Sequence, residues 1–76
     1  MRARPCCVAT FHSTHDAIHA ERACTERGVS GRLIPLPVQI DADCGLAWRM
    51  EPSERPTFER AMRDEGIDAG YVDLML

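Results

Sequence analysis

The run Leu33-Ile34-Pro35-Leu36-Pro37 constrains this chain more than any other stretch. It is apolar enough to be a strand, yet its prolines remove two backbone donors, and such a strand belongs at the edge of a sheet rather than in its centre. Gln39 to Cys44 then reads as a connecting loop, and Gly45 opens a second apolar run, Leu46-Ala47-Trp48. One cysteine is thereby delivered to the threshold of a strand. Glycine directly after Cys44 implies a backbone free to adopt positive φ or to admit a partner closely. An exposed sulfur in such a loop is the kind that reacts, whereas a buried cysteine is inert. The competing reading makes Cys44 only a small apolar residue that starts the strand.

The rest of the chain alternates two periodicities. Cys6 to Phe11 reads as a strand, with Cys7, Ala9 and Phe11 on one face and Cys6, Val8 and Thr10 on the other. Ser13 is a good helix N-cap, and Asp16 three positions later completes an approximate capping box. A helix is expected from about Thr14 to Arg27, stopped by Gly28, with Ala17, Ile18, Ala20, Ala23 and Cys24 toward the core. His15, His19, Arg22 and Glu26 fall on its wetter sides, the last two as an i,i+4 pair.

Gly31 to Leu36 is the second strand. Gly45 to Glu51 is the third, with Leu46, Trp48 and Met50 on the buried face and Trp48 as its anchor. Pro52 to Pro56 forms a turn into a second helix from about Pro56 or Thr57 to Glu65, with Phe58, Ala61 and Met62 inward and Gly66 as its stop. Tyr71 to Leu76 closes the chain as a strand with Val72, Leu74 and Leu76 on one face.

The order β-α-β-β-α-β predicts an α+β, ferredoxin-like fold over residues 1–76 as a single domain: a four-stranded antiparallel sheet with both helices on one face. The first and third strands take the centre, so the first and second run the same way. His12, Ser13, Thr14 and the N-terminus of the first helix then share one end of the sheet with Cys44. A helix N-terminus and a protonated histidine both favour a thiolate, which makes His12, Ser13, Thr14, Cys44 and Gly45 the candidate site.

Composition narrows the function. The formal net charge is −3, and all nine basic residues are arginines scattered along the chain, which argues against a nucleic-acid footprint. The absence of lysine removes Schiff-base chemistry, and no glycine-rich phosphate loop is present. No apolar run approaches the roughly 18 residues of a membrane span, and Met1 to Pro5 is followed by no uninterrupted apolar core of a signal peptide. A cytoplasmic setting follows, in which the four cysteines are free thiols. Cys6 and Cys7, on opposite faces of one strand, cannot both ligate one ion. A chain this short buries only about 60 to 65% of the surface its unfolded form exposes, which favours pairing with another copy.

Several motifs resemble one family. Phe11-His12-Ser13-Thr14-His15-Asp16-Ala17, Ala20-Glu21, Gly28-Val29 and Arg32-Leu33-Ile34-Pro35-Leu36-Pro37, followed by Asp43-Cys44-Gly45-Leu46-Ala47, look like small domains catalogued as selenium/sulfur carriers, over roughly residues 8 to 70. The most telling part is the Pro-x-Pro segment followed across a short loop by Cys-Gly-Leu-Ala. The resemblance implies that Cys44 carries a persulfide or perselenide. A basic residue commonly follows the second proline in the family, and Val38 stands there in this chain.

The leading expectation is thus a carrier with a reactive thiol rather than a turnover enzyme. It would need no cofactor, accept sulfur or selenium on Cys44 from a protein donor and pass it to a protein acceptor, with Cys6 or Cys7 as second-choice thiols. One alternative is a metal-handling module that uses His12, His15 and Cys44, or the helical pair His15 and His19. Another is a non-catalytic interaction domain, whose open sheet face, carrying Cys6, Val8, Thr10, Arg49, Glu51, Tyr71 and Met75, docks a partner or a second copy.

Overall fold

A computed structural model describes residues 3–76 and gives seven elements in this order. They are β1 (Pro5–Phe11), α1 (Thr14–Arg27), β2 (Arg32–Pro35), β3 (Leu46–Met50), a 3-10 turn (Pro52–Glu54), α2 (Arg55–Glu65) and β4 (Ala69–Met75). The strands form one antiparallel sheet in the order β2-β3-β1-β4. This is the expected α+β architecture, with β1 and β3 central and the proline-containing β2 at an edge.

The helix ends follow the chemistry of their caps. Ser13 is extended, at φ −152° and ψ 159°, and its hydroxyl accepts the amide of Asp16 at 3.1 Å. Gly28 and Gly66 end the two helices in the left-handed region, at φ 69° and 70°, and their amides return to the carbonyls of the last turn. Across the far ends of the helices Arg27 pairs with Asp64 and Glu65, and His19 meets Glu65 at 2.9 Å. The expected Arg22–Glu26 pair is not formed, and α1 spends its charges on α2 instead.

The two faces of β1 divide the apolar residues into two clusters. Cys7, Ala9 and Phe11 join Ala17, Ala20 and Cys24 of α1, Trp48 and Met50 of β3, and Phe58, Ala61 and Met62 of α2 in the main core. Phe58 is its centre: fully buried, stacked on Trp48 at 5.9 Å between ring centroids and edge-on to Tyr71 at 6.1 Å. Cys6, Val8 and Ala47 form a second cluster on the opposite face, under Ile34, Leu36, Ile40, Leu74 and Leu76. The sheet face without helices is therefore partly roofed by its own side chains, including two from the β2–β3 connection.

Two packing expectations are overturned. Ile18 stays 43% exposed, because α1 buries the arc of Ala17, Ala20, Ala23 and Cys24 and Ile18 stands at the margin of that arc. Tyr71 lies on the helix side rather than the open face. Its ring packs on Phe58, and the Arg55 guanidinium sits 4.6 Å from its centroid. Val72, Leu74 and Leu76 alternate with it and so take the open face. Among the described residues no helix is long and apolar enough to cross a membrane.

Candidate functional site

Cys44 stands two residues before β3, and its position follows from the loop that leads to it. Pro35 and Pro37 stop β2, Leu36 donates its amide to the Gly45 carbonyl at 2.9 Å, and Ile40 donates to Pro37 at 3.0 Å, so the returning chain is a closed loop rather than a free one. Ile40 in turn packs on the open-face cluster. The loop is thus fastened at both ends, and Cys44 leaves it turned toward the helices.

The sulfur meets two polar groups there. The amide of Leu46 donates to Cys44 Sγ at 3.3 Å, from the first residue of β3, and Thr14 Oγ1 lies 3.8 Å away in the first turn of α1. Both are within hydrogen-bonding reach of the sulfur. The helix brought to the sulfur is the one capped by Ser13, so the positive end of its dipole faces the same way.

The expected exposure of this cysteine is corrected. Cys44 is 3% exposed and belongs to the main core beside Phe11, Ala17 and Trp48. The reason is register: Leu46, Trp48 and Met50 face the helices, and Cys44, two residues before Leu46, shares their side. Gly45 is corrected as well. Its φ is not positive, and a Cβ built on it would meet nothing within 4 Å of its own chain, so neither backbone conformation nor packing within the chain requires glycine there. Gly31 is the glycine with those properties, at φ +134° with its would-be Cβ 2.8 Å from the Arg49 carbonyl and hard against the Trp48 indole.

His12 is at the same end of the sheet but does not meet the sulfur. Its Nε2 lies 3.1 Å from Asp68 and its Nδ1 3.4 Å from Asp43, the residue before Cys44. These two carboxylates, Asp43 first, raise the histidine pKa above its ordinary value. The imidazole bridges the Cys44 loop to the turn before β4, beside an open hollow of about 360 Å³ that Asp41, Asp43 and Asp68 line. That hollow is acidic, and Cys44 is not among its walls.

Among the described residues no three His, Cys, Asp or Glu side chains are grouped to hold a metal ion. His12, His15 and Cys44 therefore do not form the ligand set considered from the sequence: His12 faces its two aspartates, Cys44 faces the core, and His15 lies near His19 with ring centroids 6.4 Å apart. All four cysteines are free and buried. Burial pushes the Cys24 thiol up to about 11 and raises that of Cys7, which keeps both protonated and unreactive at neutral pH.

Fold and site together define a small ferredoxin-like α+β protein with a hydrogen-bonded cysteine where a helix N-terminus meets one end of its sheet. A family model matches residues 6–72, and the chain belongs to that family, described as Putative Se/S carrier protein-like. No curated protein and no solved structure matches it.

Proposed function

We propose that this protein carries sulfur or selenium on Cys44 between protein partners in the cytoplasm. The observation that carries the reading is the pair of polar groups on one sulfur: the Leu46 N–H, which donates at 3.3 Å, and the Thr14 hydroxyl at 3.8 Å, which donates once the sulfur is a thiolate. In the loaded form the negative charge lies on the terminal atom, one bond beyond Sγ, and the same donors with the α1 N-terminus are the nearest fixed dipoles to it.

The chemistry needs no external oxidant. The Cys44 thiolate attacks the terminal sulfur of a persulfide on the donor, the donor's S–S bond breaks with its electron pair leaving as the donor thiolate, and a new bond forms to Cys44 Sγ. The proton released by the Cys44 thiol balances the one the donor takes up. Unloading is the same exchange with an acceptor thiolate as nucleophile. Selenium transfers in the same way from a perselenide.

Two features favour delivery by protein contact over capture of a free anion. The hollow beside the site is lined by Asp41, Asp43 and Asp68, which repel small anionic donors, and Val38 places no cation at the loop tip. Because Cys44 is buried, loading also requires its loop to yield. The restraints are the Leu36–Gly45 and Ile40–Pro37 hydrogen bonds and the His12–Asp43 contact, all of which a docking partner can displace.

Incubation with a cysteine desulfurase and cysteine, followed by intact mass, tests the reading. The expected result is a mass increase of one sulfur on the wild type, lost on treatment with a reductant and absent from Cys44→Ala. Equal labelling of the two proteins moves the cargo to another thiol and ends the assignment.

A further inference from the structure

The end of the sheet opposite Cys44 carries the reverse charge. Arg32 on β2 and Arg49 on β3 are direct cross-strand partners, and Arg49 also stands opposite Val8 of β1. Directly opposed residues on one face of an antiparallel pair are about 5 Å apart at Cβ, and two like charges there destabilise the sheet. Both arginines share the open face with Ile34 and Ala47, two residues along their strands. Arg4, just before β1, joins them, and the three guanidinium side chains border a cleft of about 640 Å³ whose apolar wall is Ile34, Met75 and Leu76. Among the described residues none of the three arginines forms an ion pair, although all three line an adjoining hollow together with Glu51. A chain of net charge −3 thus gathers three arginines outside any direct ion pair around an apolar wall, two of them in a repulsive register.

We propose that this face docks an acidic segment of a partner protein, with carboxylates bridging Arg32 and Arg49 and apolar side chains lying on Ile34 and Leu76. Planar, bidentate recognition of carboxylate is what arginine supplies better than lysine, and an apolar wall beside it suits a polypeptide rather than a bare inorganic anion. The molecule is polar along its strands: acidic around Asp41, Asp43 and Asp68 at one end, basic around the three arginines at the other. Arg49 lies five residues after Cys44, across the bend at Gly45 and along β3, a reach of at most roughly 16 Å. A partner held by the arginines is therefore oriented along the open face with the Cys44 loop within its span and not beneath its anchor. Only the naming of that partner as a sulfur donor or acceptor rests on the carrier reading.

The test is fluorescence anisotropy with a labelled peptide of alternating glutamate and leucine, against the same peptide with glutamine for glutamate. The expected result is saturable binding of the acidic peptide alone, weakened by salt and about tenfold weaker in Arg32→Gln with Arg49→Gln. That variant is expected to melt at or above the wild-type temperature, because a repulsive pair is removed, so the loss of binding is not a loss of fold. Equal binding of the glutamine peptide, or full affinity in the variant, overturns the proposal. Complete displacement by an equal concentration of inorganic phosphate also overturns it and gives the cleft to a small oxyanion. So does a wild-type dimer in ultracentrifugation that the same substitutions dissociate, which gives the face to a second copy. Sulfur loading of Cys44, measured by intact mass on wild type with a cysteine desulfurase and cysteine, separates the two ideas: loading that fails while the peptide still binds removes the carrier and leaves the docking face.

Discussion

The amide of Leu46 donates to the sulfur of Cys44 across 3.3 Å, a bond between the first residue of β3 and a side chain two residues upstream. It fixes the sulfur from the sheet, while Thr14, 3.8 Å away, fixes it from the helix. The two groups are of different kinds. The amide belongs to the backbone and survives any side-chain change, whereas the hydroxyl can be removed alone.

Thr14→Val keeps the shape of the side chain and deletes the hydroxyl. A hydrogen bond of this kind contributes about 0.5 to 1.5 kcal/mol, so alkylation of Cys44 at pH 7.5 is expected to slow by roughly two- to tenfold in the variant. Peptide-resolved iodoacetamide labelling measures it. Cys24, whose thiol burial pushes up to about 11, serves as the internal control and should remain unmodified in both proteins. A variant that labels as fast as wild type shows that the hydroxyl does not support the sulfur.

His12 links the Cys44 loop to the turn before β4 through Asp43 and Asp68, and its pKa is raised by those two hydrogen bonds. A raised folded-state pKa means that the link stabilises fully below the unfolded histidine value, about 6.5, and fades as pH rises through the higher folded value. The difference in melting temperature between wild type and His12→Ala is therefore expected to be larger at pH 5.5 than at pH 9. Cys44 should also label faster in His12→Ala than in wild type at the lower pH after correction for thiolate fraction, because a loop restraint is gone. Equal melting differences at both pH values count against the clamp.

Gly31 and Gly45 should respond oppositely to alanine. At Gly31 a Cβ falls 2.8 Å from the Arg49 carbonyl and against the Trp48 ring, and φ is +134°, so Gly31→Ala is expected to cost about 2 to 4 kcal/mol. At Gly45 there is open space and ordinary backbone, and Gly45→Ala is expected to stay within about 0.5 kcal/mol. Urea titrations of the two variants decide it. A Gly45→Ala protein that is as unstable as Gly31→Ala would contradict the loop geometry described above.

The backbone of this fold was legible because each local signal has a local cause. Ser13 caps α1 through Asp16, Gly28 and Gly66 end the helices, and the period-2 runs around Val8 and Trp48 alternate between the two faces as read. Element order and strand pairing follow from those signals and from chirality. Ile18 was misplaced because helical spacing defines an arc but not how wide the sheet's contact with it is. Tyr71 was misplaced because a strand's alternation does not say which of its two faces meets the helices.

The site was legible in its members and not in its arrangement. The chain order alone brings Thr14, Ser13, His12 and Cys44 to one end of the sheet, since β1 ends there and β3 begins there. Which way Cys44 points depends on the register of β3 against β1, Ala9 opposite Trp48, and a shift of one residue would have turned the sulfur to the open face. Burial of the thiol, capture of His12 by two aspartates from distant loops, and the opposition of Arg32 to Arg49 are all long-range coincidences of position. A sequence fixes which residues have charge, hydroxyl or thiol; only the pairing of strands far apart in the chain decides which of them meet.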